Sequence, residues 1–356
     1  MRKGGEMKKQ RGILFFYLLF FLIFCVDAKK IFVTGGAGFI GSHVVDALLE
    51  RGDSVVIIDN FNDAYPVGLK YSNISEIKKK KRHTDVKIYV ADICDIKQME
   101  YIFEQEQPDL ICHLAARAGV RVSINDPYEY IRSNITGTLT VFEMARKFHV
   151  GHIVCASSSS VYGVREDGPF YETDSIEQQS SPYGMTKHAG ELLSYVYYHL
   201  FNISVTNLRF FTVYGPRGRT DMAPFIFMDS IHRELPITVY GDGSAVRDFT
   251  YIDDIVQGIL KALDNPLGYE NINLARGEPI VLSDFIKTLE GIIGKKAIIE
   301  HKKKFAGDVP NTHASIDKAR SLLDYNPRVS IADGLRMMYE WYKSYYAMMD
   351  VAIMQE

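Results

Sequence analysis

A glycine-rich turn near the amino terminus constrains the fold more than any other stretch of this chain. The apolar run Ile31–Thr34 is followed by Gly35, Gly38 and Gly41 in the spacing G-x-x-G-x-x-G, and helical periodicity begins directly afterwards. Gly35 allows a tight reversal, Gly38 lets an anion approach the backbone, and Gly41 lets the helix pack close to the strand. The pattern predicts a strand, a phosphate-binding turn and a helix.

The next apolar run indicates which ligand such a turn would hold. The sequence of Ser54–Ile58 predicts a second buried strand, and Asp59 stands at its end. A carboxylate at that place accepts hydrogen bonds from the hydroxyls of an adenosine ribose and repels a 2′-phosphate. We therefore predict that the chain binds NAD rather than NADP.

Strand and helix patterns alternate through the next hundred residues. After Asp59 a polar loop is predicted to about His83, followed by strands over 86–90 and 110–114, a helix from about Tyr128 to Phe148, and a strand over 152–156. At the end of the third strand, the carboxylate of Asp92 or its neighbouring backbone is placed to hold the amino edge of the adenine. His113 is interpreted as a buried strand histidine rather than a catalytic one. This alternation predicts an α/β fold, a Rossmann-like doubly wound parallel sheet with a smaller, discontinuous α/β substrate domain.

Composition excludes several classes of partner. Charged residues make up 24% of the 356-residue chain and the net charge is −3, which argues against nucleic acid as the main partner. The four cysteines lack the spacing of metal ligands, so we predict no metal site. They are interpreted as small residues of the core.

The amino-terminal segment differs from the rest of the chain. Basic residues precede an uninterrupted apolar run over residues 13–26, the layout of a signal peptide or short signal anchor in residues 1–28. Either would place the body in the endomembrane lumen of the endoplasmic reticulum or Golgi, with possible anchoring by residues 13–26; a cytoplasmic location is the alternative. Sequons at Asn73, Asn134 and Asn202 add weak support, although Asn134 falls in a predicted helix and is expected to be buried.

A tyrosine and a lysine four residues apart open the longest predicted helix. Tyr183 and Lys187 project from the same side of it, and an ammonium beside a phenol lowers the phenol pKa, so Tyr183 could act as a general base. An ordinary surface pair is the alternative. The helix is predicted to bury a face made by Leu192, Leu193, Val196 and Leu200.

The chain resembles the extended short-chain dehydrogenase/reductase family of nucleotide-sugar enzymes. The resemblance extends from about Lys30 to the final helices, and the residues that carry it are, in chain order, Gly35/Gly38/Gly41, Asp59, Ser158 and Tyr183-x-x-x-Lys187. The strings most similar to UDP-glucuronate 4-epimerases are Asp59–Asp63, Ala115–Arg121, Tyr214–Arg217, Thr220–Ala223 and Arg247–Asp254. The resemblance implies NAD-dependent 4-epimerisation of UDP-glucuronate to UDP-galacturonate through a 4-keto intermediate, with NAD tightly bound. It also implies a homodimer formed by helices near Tyr128 and Tyr183.

The resemblance assigns roles residue by residue. Tyr183, Lys187 and Ser158 would be catalytic. Cofactor-binding residues would be Gly35, Gly38, Phe39, Ile40, Gly41, Asp59, Asn60, Asp92, Ile93, Ala115, Ala116, Tyr183, Lys187 and Phe210. The UDP-sugar would be bound by Ser158, Ser159, Ser160, Thr212, Arg219, Arg247, Asp308 and, as a weaker candidate, Arg121. For Arg247 the alternative is an ordinary ion pair with Asp248 or another acid.

The resemblance also implies a division into domains. Residues 29–211, with 250–276 returning, would bind NAD; residues 212–249 and 277–346 would bind the UDP-sugar; and 347–356 form a tail. Ser159 and Ser160 stand where related decarboxylases and dehydratases carry acidic residues, which favours simple epimerisation. A UDP-glucose or UDP-N-acetylglucosamine 4-epimerase and a non-catalytic NAD-binding scaffold are the alternatives.

Overall fold

Seven parallel strands form the centre of the molecule, because their apolar and β-branched residues can be buried on both faces. The computed structural model describes residues 28–80, 86–165, 168–303, 309 and 311–353. In chain order the strands are β1 Lys30–Thr34, β2 Ser54–Asp59, β3 Val86–Val90, β4 Leu110–His113, β5 His152–Ser158, β6 Ser204–Phe210, β7 Thr212–Tyr214, β8 Pro236–Tyr240, β9 Val246–Arg247, β10 Phe249–Tyr251, β11 Tyr269–Leu274, β12 Ile280–Val281 and β13 Ile298–Lys302.

The central sheet has the order β11-β6-β5-β4-β1-β2-β3, and all of its pairs are parallel. The strand order runs outward in both directions from β1 and β4, as in doubly wound folds. The predicted α/β class and Rossmann-like sheet are confirmed.

Helices cover both faces of this sheet. They are α1 Phe39–Arg51, α2 Val67–Lys79, α3 Ile96–Glu106, α4 Val120–Asn125, α5 Pro127–Ile131, α6 Gly137–Lys147, α7 Pro182–Phe201, α8 Ala223–His232, α9 Ile252–Asp264, α10 Leu282–Ile293, α11 Asp317–Leu323 and α12 Ile331–Ile353. Alternate residues of β1 point to opposite faces: Ile31 and Val33 join the core under α1 and α9, and Phe32 joins the core under α3 and α6. Among the described residues, no helix is both long and apolar enough to cross a membrane.

A smaller set of elements follows β6. The chain leaves the central sheet there and forms three short two-stranded pairs, β7 with β10, β8 with β13 and β9 with β12, before β11 returns to the sheet beside β6. Helices α8, α10 and α12 accompany these pairs. This second group stands above the carboxyl end of β6 and faces the glycine turn.

The prediction of a polar loop after Asp59 is wrong, because α2 occupies most of that segment. Leu69, Asn73 and Ile77 recur every four residues and are buried. The middle residue of this face is polar and is satisfied by a hydrogen bond from the Asn73 amide to the Ala37 carbonyl at 2.9 Å. A buried asparagine concealed the apolar period, and its burial also removes Asn73 from the accessible sequons.

The helix predicted near Tyr128 to Phe148 is interrupted. It consists of α5, a π-helical turn at Arg132–Thr136, and α6. Asn134 lies in the π-helical turn and is buried, as predicted. Such turns occur often at functional sites.

The prediction of which face of α7 is buried is also wrong. Leu192, Val196 and Leu200 are exposed by 58%, 43% and 62%, whereas Glu191 and Tyr197 on the opposite side are buried against the sheet. The inward side of α7 is therefore partly polar, and its apolar side faces outward. Hydrophobicity alone pointed to the wrong face because the buried side carries a hydrogen-bonded network described below.

Candidate functional site

The glycine turn joins β1 to α1 at the carboxyl edge of the sheet. Gly35 has φ +71°, which favours glycine, and a Cβ on Gly41 would lie 2.1 Å from the Gly35 carbonyl oxygen. A Cβ on Gly38 would approach the same oxygen to 3.1 Å. Helix α1 therefore begins close against the strand with its unpaired N–H groups facing a crevice, an arrangement that suits a diphosphate.

Asp59 braces this turn from the neighbouring strand. Its carboxylate accepts hydrogen bonds from the Ala37 N–H at 3.2 Å and the Phe61 N–H at 2.8 Å. The acid thus fixes the glycine turn and at the same time lines the crevice where an adenosine ribose would lie.

The crevice has a volume of about 190 Å³. The predicted cofactor residues that line it are Gly35, Gly38, Phe39, Ile40, Gly41, Asp59, Asn60, Ile93, Ala115, Ala116, Tyr183, Lys187 and Phe210. They come from five strand ends and from α7, so the geometry fits an extended dinucleotide. Their individual contacts with the cofactor stay predictions.

Asp92 does not line this crevice. Its carboxylate accepts hydrogen bonds from the Cys94 N–H at 2.9 Å, the Arg132 guanidinium at 3.0 Å and the amide of the crevice residue Asn60 at 3.4 Å. Ala91 and Ile93, on either side of it, line the crevice instead. The backbone near Asp92, rather than its carboxylate, is available to the adenine end.

Several crevice residues were not identified by the sequence analysis, among them three polar side chains near α2. Asn62, Tyr65 and Lys70 come from α2 and the segment before it, and all line the crevice. The Lys70 side chain is buried, and its ammonium lies 5.2 Å from the centre of the Tyr65 ring. The signal available in the sequence was the four-residue spacing of Leu69, Asn73 and Ile77, which would have placed Lys70 on a helix.

The three predicted catalytic side chains converge where β5 ends and α7 begins. Ser158 is buried at the end of β5, and its hydroxyl accepts the Ser160 N–H at 3.2 Å. Tyr183, in the first turn of α7, lines the same cavity as Ser158. One turn later, the Lys187 ammonium donates to the Ala156 carbonyl at 2.7 Å. A hydroxyl, a phenol and an ammonium therefore face the same point, an arrangement suited to moving a proton.

The pKa of Tyr183 differs from the expectation. Burial raises the pKa of Tyr183, opposed by its hydrogen bond to Ser158 and by the positive charge of Arg219. Burial also lowers the pKa of Lys187 to about 8, opposed by Cys155 and Glu191. Arg219 is therefore a further positive group that acts on the Tyr183 phenol, and the action of Lys187 on Tyr183 stays a prediction.

Two buried polar side chains, Asn134 and His113, make hydrogen bonds that join the segments around this centre. The Asn134 amide donates to Thr186 at 3.0 Å and to the Arg117 carbonyl at 2.9 Å, which ties α7 to the segment after β4. His113 bonds Thr34 at 2.7 Å and Thr138 at 3.0 Å, and burial lowers its pKa to about 3. The prediction of a structural strand histidine is confirmed.

A buried ion pair connects the catalytic helix to two strand ends. The Arg209 guanidinium donates to both oxygens of Glu191 at 2.9 and 2.8 Å, and Ser157 donates to the same carboxylate at 2.6 Å. Arg209 also donates to Tyr162 at 3.0 Å. Ser157 directly precedes Ser158, so the pair fixes the catalytic serine relative to α7.

A second cavity of about 440 Å³ adjoins the first. The predicted substrate residues that line it are Arg121, Ser158, Ser159, Ser160, Thr212, Arg219 and Arg247. Tyr183 and Arg219 line both cavities. Asp308 lies outside the described residues. The arrangement places a cationic and hydroxyl-rich pocket against the phenol, as an anionic sugar nucleotide would require.

The arginines of this pocket differ in their surroundings. Arg219 makes a two-pronged ion pair with Asp221, at 2.6 and 3.0 Å, and also donates to the Ala118 carbonyl. Arg121 stacks on the Tyr240 ring at 3.9 Å from its centre. Arg247 donates to the Val246 carbonyl at 2.8 Å, within its own strand.

The alternative ion pair between Arg247 and Asp248 is not supported. Asp248 is buried, and its carboxylate accepts backbone N–H groups of Arg276, Gly277 and Ala314 at 3.1 to 3.3 Å. The acid therefore organises backbone beneath the pocket, while the Arg247 side chain contributes to the pocket wall.

Comparison with known proteins agrees with this geometry. The family model described as "NAD dependent epimerase/dehydratase family" matches residues 31–275. The chain is 46% identical over 312 residues to UDP-glucuronate 4-epimerase of Thermodesulfobacterium geofontis, covering 87% of this chain and 95% of that protein.

Two solved structures have the same fold. UDP-glucuronic acid 4-epimerase from Bacillus cereus, in complex with UDP-glucuronic acid and NAD, matches with a TM-score of 0.83 at 39% identity, covering 89% of this chain and 100% of that one. UDP-glucose 4-epimerase with UDP-glucose from Thermotoga maritima matches with a TM-score of 0.81 at 31% identity, covering 89% and 99% of the two chains.

The buried ion pair generates a stability prediction. Replacing Glu191 with glutamine leaves the Arg209 guanidinium buried without a counter-charge, and breaking such a pair costs about 3–5 kcal/mol. Urea unfolding should show a loss of this size. The matched control is Glu76→Gln, which breaks an exposed ion pair with Lys79 and should change stability by less than about 0.5 kcal/mol. Equal effects of the two substitutions would contradict the role assigned to Glu191.

Proposed function

The chain belongs to the NAD dependent epimerase/dehydratase family, and we propose that it interconverts UDP-glucuronate and UDP-galacturonate by inverting carbon 4 of the sugar. The observation that carries this proposal is the convergence of Ser158, Tyr183 and Lys187 at the junction of a dinucleotide crevice and a cationic pocket. The similarity to UDP-glucuronate 4-epimerases supports the choice of sugar.

Each residue of the centre has a task in this reaction. Tyr183 takes the proton of the sugar 4-hydroxyl, and Ser158 relays or holds that proton through its hydrogen bond to the phenol. Bound NAD supplies reversible hydride acceptance, which converts the sugar to a 4-keto intermediate and back. Arg219 and Lys187 stabilise negative charge on the phenol oxygen. Inversion requires the keto sugar to present its other face, and the larger pocket gives it room.

The residues around the centre favour epimerisation over loss of carbon dioxide or water. Ser159 and Ser160 offer hydroxyl groups rather than a carboxylate, so they can hold a sugar carboxylate without acting as a base. We propose that these serines and Thr212 bind the uronate carboxylate. Arg219 adds a positive charge near that carboxylate, although its guanidinium N–H groups donate to Asp221.

The direct test is proton NMR of purified full-length protein with UDP-glucuronate and no added NAD. We expect conversion to the 4-epimer, because the cofactor is retained and regenerated in each cycle. Tyr183→Phe should lower the rate by about 10²–10⁴-fold, because the base that takes the proton is removed. Tyr101→Phe, at an exposed tyrosine of α3, is the control and should keep full activity.

Other outcomes of that experiment would contradict the proposal. Inversion of UDP-glucose or UDP-N-acetylglucosamine without turnover of UDP-glucuronate would favour a neutral-sugar epimerase, the activity named for the Thermotoga maritima structure. Retention of NAD without any turnover would favour a non-catalytic scaffold.

The domain division supports the same assignment. We propose that residues 29–211 together with 250–276 hold NAD, and that 212–249 together with 277–346 hold the uridine diphosphate. Return of β11 to the central sheet supports the first group, and the position of Arg247 in the pocket wall supports the second. Asp308 stays a proposed contact of the nucleotide.

We further propose that the protein is a homodimer. The outward face of α7 carries Leu192, Val196 and Leu200, and the exposed side chains of Val122, Ile124, Tyr128, Ile131 and Leu139 lie on the neighbouring helices α4 to α6. A continuous apolar surface of this kind is unfavourable in water and is suited to a two-fold interface.

The interface can be tested by sedimentation. Leu192→Glu should convert the dimer to a monomer, because a carboxylate would be buried without a partner. Leu235→Glu, at an exposed leucine outside these helices, is the matched control and should leave the dimer intact. A monomeric wild-type protein, or a dimer that tolerates Leu192→Glu, would contradict the proposal.

The amino-terminal segment is proposed to direct the body into the endomembrane lumen. The support is the order of basic residues followed by the apolar run over 13–26. Of the three sequon asparagines, Asn73 and Asn134 are buried, which leaves only Asn202 as an exposed candidate for glycosylation.

An added glycosylation acceptor at the carboxyl terminus tests this location. In eukaryotic cells we expect the acceptor to be modified in the full chain and unmodified when residues 13–26 are replaced by polar residues. Resistance to alkaline extraction distinguishes an anchor from a cleaved signal. An unmodified acceptor on the full chain would favour the cytoplasmic alternative.

A further inference from the structure

The loop that carries Arg219 into the substrate pocket has little conformational preference of its own. It follows β7 with the sequence Gly215-Pro216-Arg217-Gly218, and Gly215 has φ +147°. Arg217 has φ +60°, a left-handed conformation that is unfavourable for a residue with a side chain. Contacts from outside the loop are therefore needed to keep it in this conformation.

Helix α1 provides such contacts. The Arg217 guanidinium donates to the Ser42 carbonyl at 3.3 Å and pairs with the Asp46 carboxylate at 2.9 Å. His43 is hydrogen-bonded through Nε2 to the Pro216 carbonyl at 2.9 Å. These contacts join the loop to one turn of the helix that begins at the glycine turn.

The contacts between the loop and α1 are shielded from water. The side chains of Arg217 and Asp46 are 11% and 10% exposed, so solvent and salt weaken their attraction little. Burial lowers the pKa of His43 to about 4, and the charge of Arg217 acts in the same direction, so the ring is neutral at pH 7. A neutral imidazole donates from one nitrogen, which here is the Nε2 that faces a carbonyl oxygen.

The contacts of the Arg219 side chain do not by themselves fix its position relative to α1. Asp221, with which it forms an ion pair, lies two residues further along the same segment and would move with it. The Ala118 carbonyl accepts a hydrogen bond from Arg219 at 3.2 Å, and the Tyr65 ring centre lies 5.6 Å from the guanidinium. Both of these contacts are longer than the ion pair between the loop and α1.

We propose that Arg217 is a positioning residue: by binding Ser42 and Asp46 of α1, it holds Arg219 where the sugar carboxylate enters the substrate pocket. The inference rests on the proposed function, because the carboxylate that Arg219 would meet belongs to the uronate. Of the residues that the structure describes, Arg217 is not among those that line either cavity, so its effect reaches the substrate through Arg219.

The experiment compares the binding of UDP-glucuronate with that of UDP, which lacks the sugar carboxylate. Calorimetric titration uses the purified full chain in a Tyr183→Phe background, so that no sugar is turned over. Arg219→Met should weaken UDP-glucuronate binding by about 10–100-fold, the value of a hydrogen bond to a charged group. Arg217→Met should weaken it by about tenfold, because Arg219 is then displaced rather than removed. UDP affinity and bound NAD should not change in Arg217→Met.

The double variant shows whether Arg217 acts through Arg219. Because the two residues are expected to act as one unit, Arg217→Met should cause no further loss in an Arg219→Met background. Arg217→Lys keeps the attraction to Asp46 and should recover part of the affinity. Asp46→Asn should reproduce the loss from the side of the helix and serves as the second variant if Arg217→Met does not fold. Arg336→Met removes an exposed ion pair with Asp333 and is the control, with unchanged affinities.

Several results would overturn the inference. They are UDP-glucuronate affinity unchanged by Arg217→Met and Asp46→Asn, a loss that adds to that of Arg219→Met, an equal loss of UDP affinity, or no effect of Arg219→Met itself. The proposed reaction fails separately, if the wild-type chain does not invert UDP-glucuronate. The binding measurements do not require turnover of any sugar.

Discussion

The parallel arrangement of the central strands is the constraint on which the site depends. Since β1, β2, β4, β5 and β6 all run the same way, their carboxyl ends meet along one edge of the sheet. Residues far apart in the chain thereby become neighbours: Gly35, Asp59, Ala115, Ser158 and Phe210 each follow or end a different strand. Helix α7 then needs only to begin above β5 for Tyr183 to reach the same crevice.

Polar groups beneath this edge keep it in register. Glu191 accepts hydrogen bonds from Ser157 and Arg209, which immediately precede the proposed catalytic Ser158 and the crevice residue Phe210. His113 and Asn134 similarly join neighbouring strands and helices through buried hydrogen bonds. Because an unsatisfied buried polar group is unfavourable, such contacts tolerate few alternative arrangements and specify the positions of the side chains above them.

Charge is distributed unevenly over the two cavities. Around the catalytic phenol, Arg219 and Lys187 supply positive charge, and burial acts against ionisation of both Tyr183 and Lys187. At the far end of the crevice, Asp59 and Lys70 offset one another. At the catalytic centre, burial and positive charge therefore act in opposite directions on the phenol, whereas the two charges at the far end of the crevice offset one another.

The sequence by itself determined the alternation of strands and helices, the glycine turn and the pairing of Tyr183 with Lys187 on one side of a helix. These features depend on local rules, since a strand period, a glycine spacing or two residues four apart can be recognised without knowledge of the partner element. The resemblance to a family, rather than a local rule, supplied the other residues predicted to line the crevice. The tertiary structure alone decided which side of α7 is buried, that α2 carries Lys70 into the crevice, that Asp92 does not line it, and that Arg219 acts on Tyr183. In each case the outcome depends on a contact between distant segments. Glu191 is buried, although the opposite face of its helix is apolar, because it pairs with Arg209 on strand β6. Hydrophobic periodicity cannot identify a partner on a distant strand.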